Sequence, residues 1–283
     1  MIPTQFDYVR ATTLDDAVAK LGAAGGKGKL IAGGHSLVPL MKLRLSEPGV
    51  LIDIARIPGL SGIQEKGAAI EIGANTTHHD VATSAVLRRV CPVVAEAAAE
   101  IGDPQVRNRG TLGGSLAHAD PAADYPAVML ALDASIRVAG PGGARTITAS
   151  DFFQGMFTVD LKADEIIVGV QFAPAKSAAY AKLRQRASHF AIVGVAAALD
   201  VKGGTIQSAR IGLTGASSHA VRLREVEAAL KGKPVSAAAI EAAAKLGTSV
   251  KDMNSDIHAS ADYRRAMIAV FTARALTQAA ARA

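Results

Sequence analysis

The sequence predicts an α+β protein of two domains, and three observations support that fold class. The glycine pair Gly33-Gly34 lies between a short apolar run and a segment with apolar residues at helical spacing, which predicts a strand, a turn and a helix. A second pair, Gly113-Gly114, is followed by another apolar segment. After the small residues at 174–179 the pattern changes to three apolar runs and then to helices. We therefore expect an N-terminal domain over residues 1–176 and a C-terminal domain over residues 177–283.

The N-terminal domain is expected to have two parts, a small α/β unit over about residues 1–55 and a subdomain with a mixed sheet over about residues 56–176. In the first part, Thr13 with an acidic residue three positions later predicts a capped helix start. Apolar runs then predict strands at residues 29–32 and 50–54. Together these segments predict a β-α-β-α-β unit.

The first glycine pair is a candidate phosphate site. Glycines leave no side chain between the backbone and a ligand, and the N–H groups that follow point outward at a helix N-terminus. Ser36 is expected to cap the helix, and Pro39 falls in its first turn, where no N–H is needed. Because a strand, Gly-Gly and a helix also occur together for packing reasons, this motif alone does not decide between a ligand site and a structural turn.

Residues 56–176 carry shorter signals of the same kind. The predicted elements are a hairpin around Gly67, a helix capped by Thr77, a helix at 95–101 ended by Asp103, a hairpin formed by 134–139 and 145–148, and a strand at 165–172. His78 and His79 invite a metal site, but adjacent side chains point to different sides of an element and no spaced third ligand is apparent. We expect no metal site here.

The second glycine pair lies in the sequence TLGGSLAHADPAADYPAVMLALDA, which begins at Thr111. Small and polar residues follow the pair, and an apolar helix is expected from about Tyr125, with Pro126 near its start. Asp120, before a proline, is as consistent with a turn as with a ligand. Two glycine turns in one chain could hold a pyrophosphate from two sides.

The C-terminal domain is predicted to be a three-stranded antiparallel sheet with a helical bundle. Strands are expected at residues 180–186, 192–201 and 206–213, and helices at 221–230, 237–246 and 263–281. The short loops, one of which contains Gly203-Gly204, favour an antiparallel meander.

Composition excludes several classes of protein. The chain has 283 residues, 49% hydrophobic and 20% charged, with no apolar run of the length that a transmembrane helix needs. The formal charge is +6, but the basic residues are scattered, tryptophan is absent and aromatic content is 4%, so we expect no nucleic-acid binding. The single cysteine, Cys91, excludes an internal disulfide and an iron–sulfur cluster held by this chain alone. With no secretory pattern in MIPTQFDYVR, a cytoplasmic location is expected.

Several segments together resemble a known family. They are AGGHSL with the following MK and R, the TLGG segment with DP and a later Asp, PQVRNRG before it, DFFQG at 151–155, and KLRQRASHFAIVGVAAAL from Lys182. In this order they resemble the FAD-binding medium subunit of molybdenum hydroxylases, the carbon monoxide dehydrogenase and xanthine dehydrogenase group. The resemblance spans nearly the whole chain.

The resemblance implies an oxidoreductase subunit that binds FAD without a covalent link. Such a subunit relays electrons from the [2Fe-2S] clusters of a small partner subunit to an external acceptor, a quinone or NAD, while a large subunit with the molybdenum cofactor oxidises the substrate. No catalytic residue of its own is implied. Two alternatives stay open: a non-catalytic assembly module that kept the fold but lost the flavin, and a stand-alone flavin oxidase.

The resemblance also implies which residues hold the pyrophosphate of FAD. Those of the first motif are Ala32, Gly33, Gly34, His35, Ser36 and Leu37. Those of the second motif are Thr111, Gly114, Ser115, Ala117 and His118.

Further residues match family positions around the rest of the cofactor. Asp124 matches a carboxylate that accepts from the adenosine ribose, with a helix N-cap as the alternative. Ile101 and Gly102 match positions close to the flavin, and Ile166 matches one whose backbone touches the adenine; core packing is the alternative for these three.

Two positions in the C-terminal domain match residues near the flavin ring. Lys182 matches a lysine whose charge would stabilise an anionic reduced flavin, with an ordinary surface lysine as the alternative. Phe190 falls where some relatives have tyrosine, so it keeps the aromatic ring but not the hydroxyl.

Overall fold

Three β-sheets organise the chain in a computed structural model that describes residues 1–283. The first is a small parallel sheet, the second a five-stranded antiparallel sheet with helices, and the third a four-stranded antiparallel sheet covered by helices. A two-stranded ribbon completes the strands. None of the helices combines the length and the apolar character needed to cross a bilayer.

The first unit is a parallel sheet with two helices. Its elements are β1 (Asp7–Arg10), α1 (Leu14–Ala23), β2 (Gly28–Ile31), α2 (Leu37–Lys42) and β3 (Val50–Asp53). The strands lie in the order β1-β3-β2, and both pairings are parallel. The predicted β-α-β-α-β unit is therefore confirmed, and the Thr13 hydroxyl accepts a hydrogen bond from the Asp16 N–H at the start of α1, as expected.

The second unit places its helices between the strands of one sheet. Its elements are β4 (Ile63–Lys66), β5 (Ala69–Gly73), α3 (His78–Thr83), α4 (Ala85–Val90), α5 (Pro92–Ala99), α6 (Pro104–Arg107), α7 (Leu112–His118), α8 (Asp124–Ala131), β6 (Ser135–Gly140), β7 (Gly143–Thr148), α9 (Ala149–Phe152), β8 (Phe153–Gly155), β9 (Thr158–Val159) and β10 (Ile166–Phe172). The strand order is β4-β5-β10-β6-β7, and every pairing is antiparallel. The predicted mixed sheet is thus wrong in this detail, because β10 inserts between β5 and β6 and runs opposite to both.

The third unit contains the three predicted strands and one more. Its elements are β11 (Ala178–Arg184), β12 (Ala191–Lys202), β13 (Thr205–Thr214), β14 (Val221–Arg222), α10 (Arg224–Leu230), α11 (Ala237–Ala244), a 3₁₀ turn (Lys245–Ser249) and α12 (Ala261–Ala280). β11, β12 and β13 form the antiparallel meander that was predicted.

Two boundaries in this unit differ from the prediction. The helix predicted from residue 221 begins at Arg224, because Val221 and Arg222 pair with β13 and extend the sheet to four strands. The strand predicted from residue 180 begins at Ala178, since Ala178 and Ala179 are buried in β11. The small side chains of Ala178 and Ala179 fit between packed layers of the protein. In the sequence alone, such a run of small residues looks like a loop.

The third sheet is covered on both faces. Along β11, Ala178 and Tyr180 belong to the core shared with the second unit, whereas Ala179 belongs to the core under α10, α11 and α12, which is the alternation of a strand. On β13, Gly212 lies directly against α8: a Cβ there would be 2.0 Å from the Ala127 carbonyl oxygen. The second and third units therefore pack without an intervening layer.

Candidate functional site

A cavity of about 630 Å³ lies where the three units meet. Its walls come from the end of β2 and the turn after it, from α7 and the segment before it, from the segment before β10, and from the loop at 188–190 of the third unit. The volume is typical of sites for small molecules and cofactors. Of the cavity's walls, two carry the glycine motifs.

Sixteen of the seventeen residues implied by the family resemblance line this cavity. They are Ala32, Gly33, Gly34, His35, Ser36, Leu37, Ile101, Gly102, Thr111, Gly114, Ser115, Ala117, His118, Asp124, Ile166 and Phe190. The exception is Lys182, whose side chain is only 2% exposed and lies behind the wall.

The two glycines of the first motif are required for different reasons. A Cβ on Gly33 would lie 2.1 Å from the carbonyl oxygen of Arg109, so this glycine allows the two motifs to touch. Gly34 has φ +74°, a conformation that glycine adopts at little cost. The N–H groups of residues 33–36 find no acceptor within the chain. Four consecutive donors on a cavity wall suit an anionic group.

Ser36 does not cap α2 as predicted. It occupies the N-cap position, but its φ and ψ of −102° and −48° are helical, and its side chain makes no cap hydrogen bond. A capping side chain needs extended backbone at the N-cap to reach the N–H groups of the first turn. The Ser36 hydroxyl therefore stays available at the cavity.

The second glycine pair lies inside a helix, which corrects the predicted turn. Thr111 caps α7 by accepting a hydrogen bond from the Gly114 N–H at 3.2 Å. Gly113 packs on Ala74, just after β5, since a Cβ there would be 2.5 Å from the Cβ of Ala74. A Cβ on Gly114 would meet only the Thr111 hydroxyl, at 2.8 Å. Gly114 is therefore the glycine of the pair that leaves the cavity wall open.

The two motifs also differ in what they offer a ligand. In the second, the N–H groups of Leu112, Gly113 and Ser115 bond to carbonyl oxygens of the chain. Its remaining polar groups at the cavity are side chains, above all the hydroxyl of Ser115. The first motif thus supplies backbone donors and the second supplies a close approach and hydroxyls.

Asp124 forms a buried ion pair between two units. Its carboxylate, 4% exposed, receives hydrogen bonds from Lys182 Nζ at 2.9 Å and from the Tyr180 hydroxyl. Lys182 also donates to the Glu100 carbonyl at 2.9 Å. Burial raises the pKa of Asp124 to about 6, although Lys182 and Tyr180 act in the opposite direction. Asp124 is the first residue of α8 and not its N-cap, and with both oxygens engaged inside the protein its ribose role stays a prediction.

A charged cluster holds the segment before β10, which lines part of the cavity. Arg145 donates to both oxygens of Glu165 at 2.8 Å and to Asp160, which fixes the segment before β10. Hydrogen bonding to Arg145 lowers the pKa of Glu165. Ile166, which follows, is buried in the core of the first unit and also lines the cavity.

The part of the cavity lined by Gly102 and the loop at 188–190 has an unusual backbone. Gly102 has φ +49°, and its carbonyl accepts from Arg107 at 3.0 Å and lies 2.8 Å from Nδ1 of His189. His189 itself has φ +62°, and the next ring, Phe190, lines the cavity and is 47% exposed. Residues of the second and third units therefore meet in this part of the cavity.

Sequence reasoning missed three residues at the cavity. Asn75 is buried and donates to the Ile54 carbonyl at 2.6 Å, which ties the first unit to the second. His189 supports Gly102, and His78 lines the wall beneath the second motif. His78 was considered only as a metal ligand, because no local pattern reveals that α3 packs on α5 and α6 or that His78 meets Tyr125 of α8.

Two family models match the chain. That for the FAD binding domain in molybdopterin dehydrogenase matches residues 4–175, and that for the CO dehydrogenase flavoprotein C-terminal domain matches residues 178–279.

Curated relatives match over the full length. The carbon monoxide dehydrogenase medium chain of Hydrogenophaga pseudoflava is 41% identical, covering 100% of this chain and 99% of the relative. The 6-hydroxypseudooxynicotine dehydrogenase complex subunit alpha of Paenarthrobacter nicotinovorans is 39% identical, covering 100% and 97%.

Solved structures agree. A chain of the carbon monoxide dehydrogenase from Hydrogenophaga pseudoflava superposes with a TM-score of 0.96 at 42% identity, covering 100% of this chain and 99% of that one. A chain of quinoline 2-oxidoreductase from Pseudomonas putida 86 gives 0.93 at 33% identity, covering 99% of each.

Proposed function

We propose, because this chain belongs to the FAD-binding medium subunits of the molybdenum hydroxylases, that it relays electrons to an external acceptor. The donors would be the [2Fe-2S] clusters of a small partner subunit, and a large subunit with the molybdenum cofactor would oxidise the substrate. The acceptor would be a quinone or NAD. Family membership makes the chain an FAD-dependent oxidoreductase subunit; the relay and its partners are the proposal.

The observation that carries the proposal is the set of free N–H donors at residues 33–36 on the cavity wall. A pyrophosphate offers several anionic oxygens, and such oxygens are strong acceptors for backbone N–H groups. Across the cavity Gly114 leaves space for the backbone to approach, and Ser115 adds a hydroxyl. The residues present therefore fit FAD.

We assign the parts of FAD along the cavity in this order. Its pyrophosphate would lie between residues 33–36 and 111–115. The adenine would lie next to the segment that Arg145 holds through Glu165, beside the backbone of Ile166. The ring would lie between Gly102 and Phe190.

A bound flavin supplies the redox chemistry, and the chain's residues hold and orient it. Lys182 would not contact the ring, because its side chain is buried behind the cavity wall and paired with Asp124. Any effect of its charge on the ring would be indirect. Family membership favours the relay over a stand-alone oxidase. The intact donors at residues 33–36 argue against a module without flavin.

With one buried cysteine, Cys91, the chain is compatible with a reducing compartment, and we propose the cytoplasm.

We expect the cofactor to be FAD held without a covalent bond. Acid precipitation of the purified chain should release the yellow colour into the supernatant, and chromatography should identify FAD. A flavin that stays with the pellet would contradict the non-covalent link. FMN instead of FAD would contradict the assignment of the adenine end.

We expect the isolated flavin-loaded chain to be bleached by dithionite but not by CO, purines or heterocycles. In the proposed relay, the electrons of the substrate reach the flavin only through the partner subunits. Adding the cluster-bearing and molybdenum subunits should allow one of these substrates to bleach the flavin, measured by absorbance under anaerobic conditions. Turnover by the isolated chain at a rate like that of the complex would establish the stand-alone oxidase instead.

A further inference from the structure

His78 lines the cavity next to the second motif, where its backbone N–H bonds to the Gly110 carbonyl at 2.9 Å, and it has no part in the function proposed above. It is 5% exposed. The edge of its ring at Nε2 lies against Gly110, where a Cβ would be 2.6 Å from that nitrogen. The preceding residue, Arg109, is the one whose carbonyl packs on Gly33. Through this short chain of contacts Nε2 lies close to the first motif.

The tautomer of His78 follows from its other nitrogen. Nδ1 lies 3.3 Å from the hydroxyl of Tyr125, a fully buried residue whose hydroxyl has no other partner. If Nδ1 carried the proton, the Tyr125 O–H would be buried without an acceptor, which is costly. The tyrosine therefore donates to Nδ1, and the ring proton lies on Nε2.

This N–H is neutral and open to the cavity. Burial, with smaller contributions from His35 and Arg107, lowers the pKa of His78 to about 4, so the ring carries no charge near pH 7. Nε2 has no hydrogen-bond partner in the chain. Unlike the Nε atoms of Arg137 and Arg264, which also lack a partner, it is not fully buried. A ligand in the cavity can thus reach it.

We propose that His78 is a further FAD-binding residue, whose Nε2–H, fixed by Tyr125, donates a hydrogen bond to the pyrophosphate side of the cofactor. This inference rests on the proposed function. A neutral ring fixed in one tautomer adds a directional donor next to the N–H groups of residues 33–36. Because the ring is neutral, it adds this donor without placing a second positive charge near Arg107.

The tautomer can be measured in the apo form of the full chain. With ¹⁵N-labelled histidine, His78 is expected to show the Nε2–H pattern, assigned by its loss in His78→Gln. In Tyr125→Phe, where Nδ1 loses its donor, the pattern should shift towards a mixture of tautomers. An Nδ1–H pattern in the unsubstituted protein would overturn the proposal whatever the variants do.

Affinity for FAD gives the second readout, measured by quenching of flavin fluorescence on titration of the apo-protein. His78→Leu removes the donor and should weaken binding roughly tenfold, the usual size for one such bond. His78→Gln can place an N–H at a similar distance and should stay within about threefold of the unsubstituted protein. His79→Leu, an exposed neighbour on α3, is the matched control and should change nothing.

Equal affinity of the His78→Leu variant and the unsubstituted protein would overturn the role of His78 and leave the FAD assignment intact. A tenfold loss in both His78→Leu and His78→Gln would overturn the hydrogen bond, since packing alone would then explain the effect. If the unsubstituted apo-protein binds no FAD, the proposed function itself fails. Should the leucine variant not fold, the tautomer and the glutamine variant decide.

Discussion

Lys182→Met is expected to lower the free energy of unfolding of the apo-protein by about 3–5 kcal/mol at pH 8, the usual cost of removing one partner of a buried ion pair. The lysine is 2% exposed, and its Nζ bonds to Asp124 and to the Glu100 carbonyl. Methionine fills a similar volume but leaves a buried carboxylate with only the Tyr180 hydroxyl as a donor.

The loss should be smaller at pH 5. In the unsubstituted protein the pKa of Asp124 is already raised to about 6, with burial as the main cause and Lys182 lowering it; without the lysine it rises further. Because the folded-state pKa then lies well above the unfolded value of about 3.9, protonation stabilises the folded variant. That stability is lost as the pH rises through the folded-state pKa.

Urea denaturation of the apo-protein at pH 5 and pH 8 measures both effects. Lys176→Met, at an exposed lysine before β11, is the control and should change stability little. The double variant Lys182→Met with Asp124→Asn removes both charges and should recover part of the loss. A loss below about 1 kcal/mol, or an equal loss at both pH values, would show that the pair is solvated and not buried.

Local signals predicted most of the secondary structure because they act over a few residues. Thr13 and Thr77 cap their helices as expected, and Gly67 turns its hairpin. The errors arise where distant partners decide. Val221 has apolar neighbours that suit a helix, but β13 offers it a strand partner. Likewise the direction of β10 depends on where β5 and β6 lie, which no local pattern contains.

The same distinction applies to the candidate site. The residues of the two motifs were predictable because a family pattern fixes their spacing, and they do line one cavity. Lys182 was placed at the flavin from that pattern alone, but its long side chain turns to Asp124, a residue 58 positions earlier. The position of His78 at the cavity was missed for the same reason, since its partner Tyr125 is 47 residues away.

The glycines of the second motif give the sharpest test of function against fold. Gly114→Val is expected to weaken FAD binding at least about 100-fold, equivalent to about 2.7 kcal/mol, because the side chain would occupy the wall that the pyrophosphate approaches. Its effect on the fold should be small. The displaced Thr111 cap costs about 1 kcal/mol, and valine regains a few tenths as a better helix former than glycine. Since Gly114 has no positive φ, backbone strain is not expected.

Gly113→Val is the matched control, one residue earlier in the same helix. Its Cβ would lie 2.5 Å from the Cβ of Ala74 and 2.9 Å from the Ala74 carbonyl oxygen, so overpacking should destabilise the apo-protein by about 1–3 kcal/mol or more. For each variant, the flavin occupancy is compared with the melting temperature of the apo form, which separates an effect on FAD binding from an effect on the fold. Loss of binding without loss of stability in Gly114→Val, and loss of stability in Gly113→Val, is the expected pair of results. If Gly114→Val instead lowers both equally, this glycine serves the helix and not the cofactor.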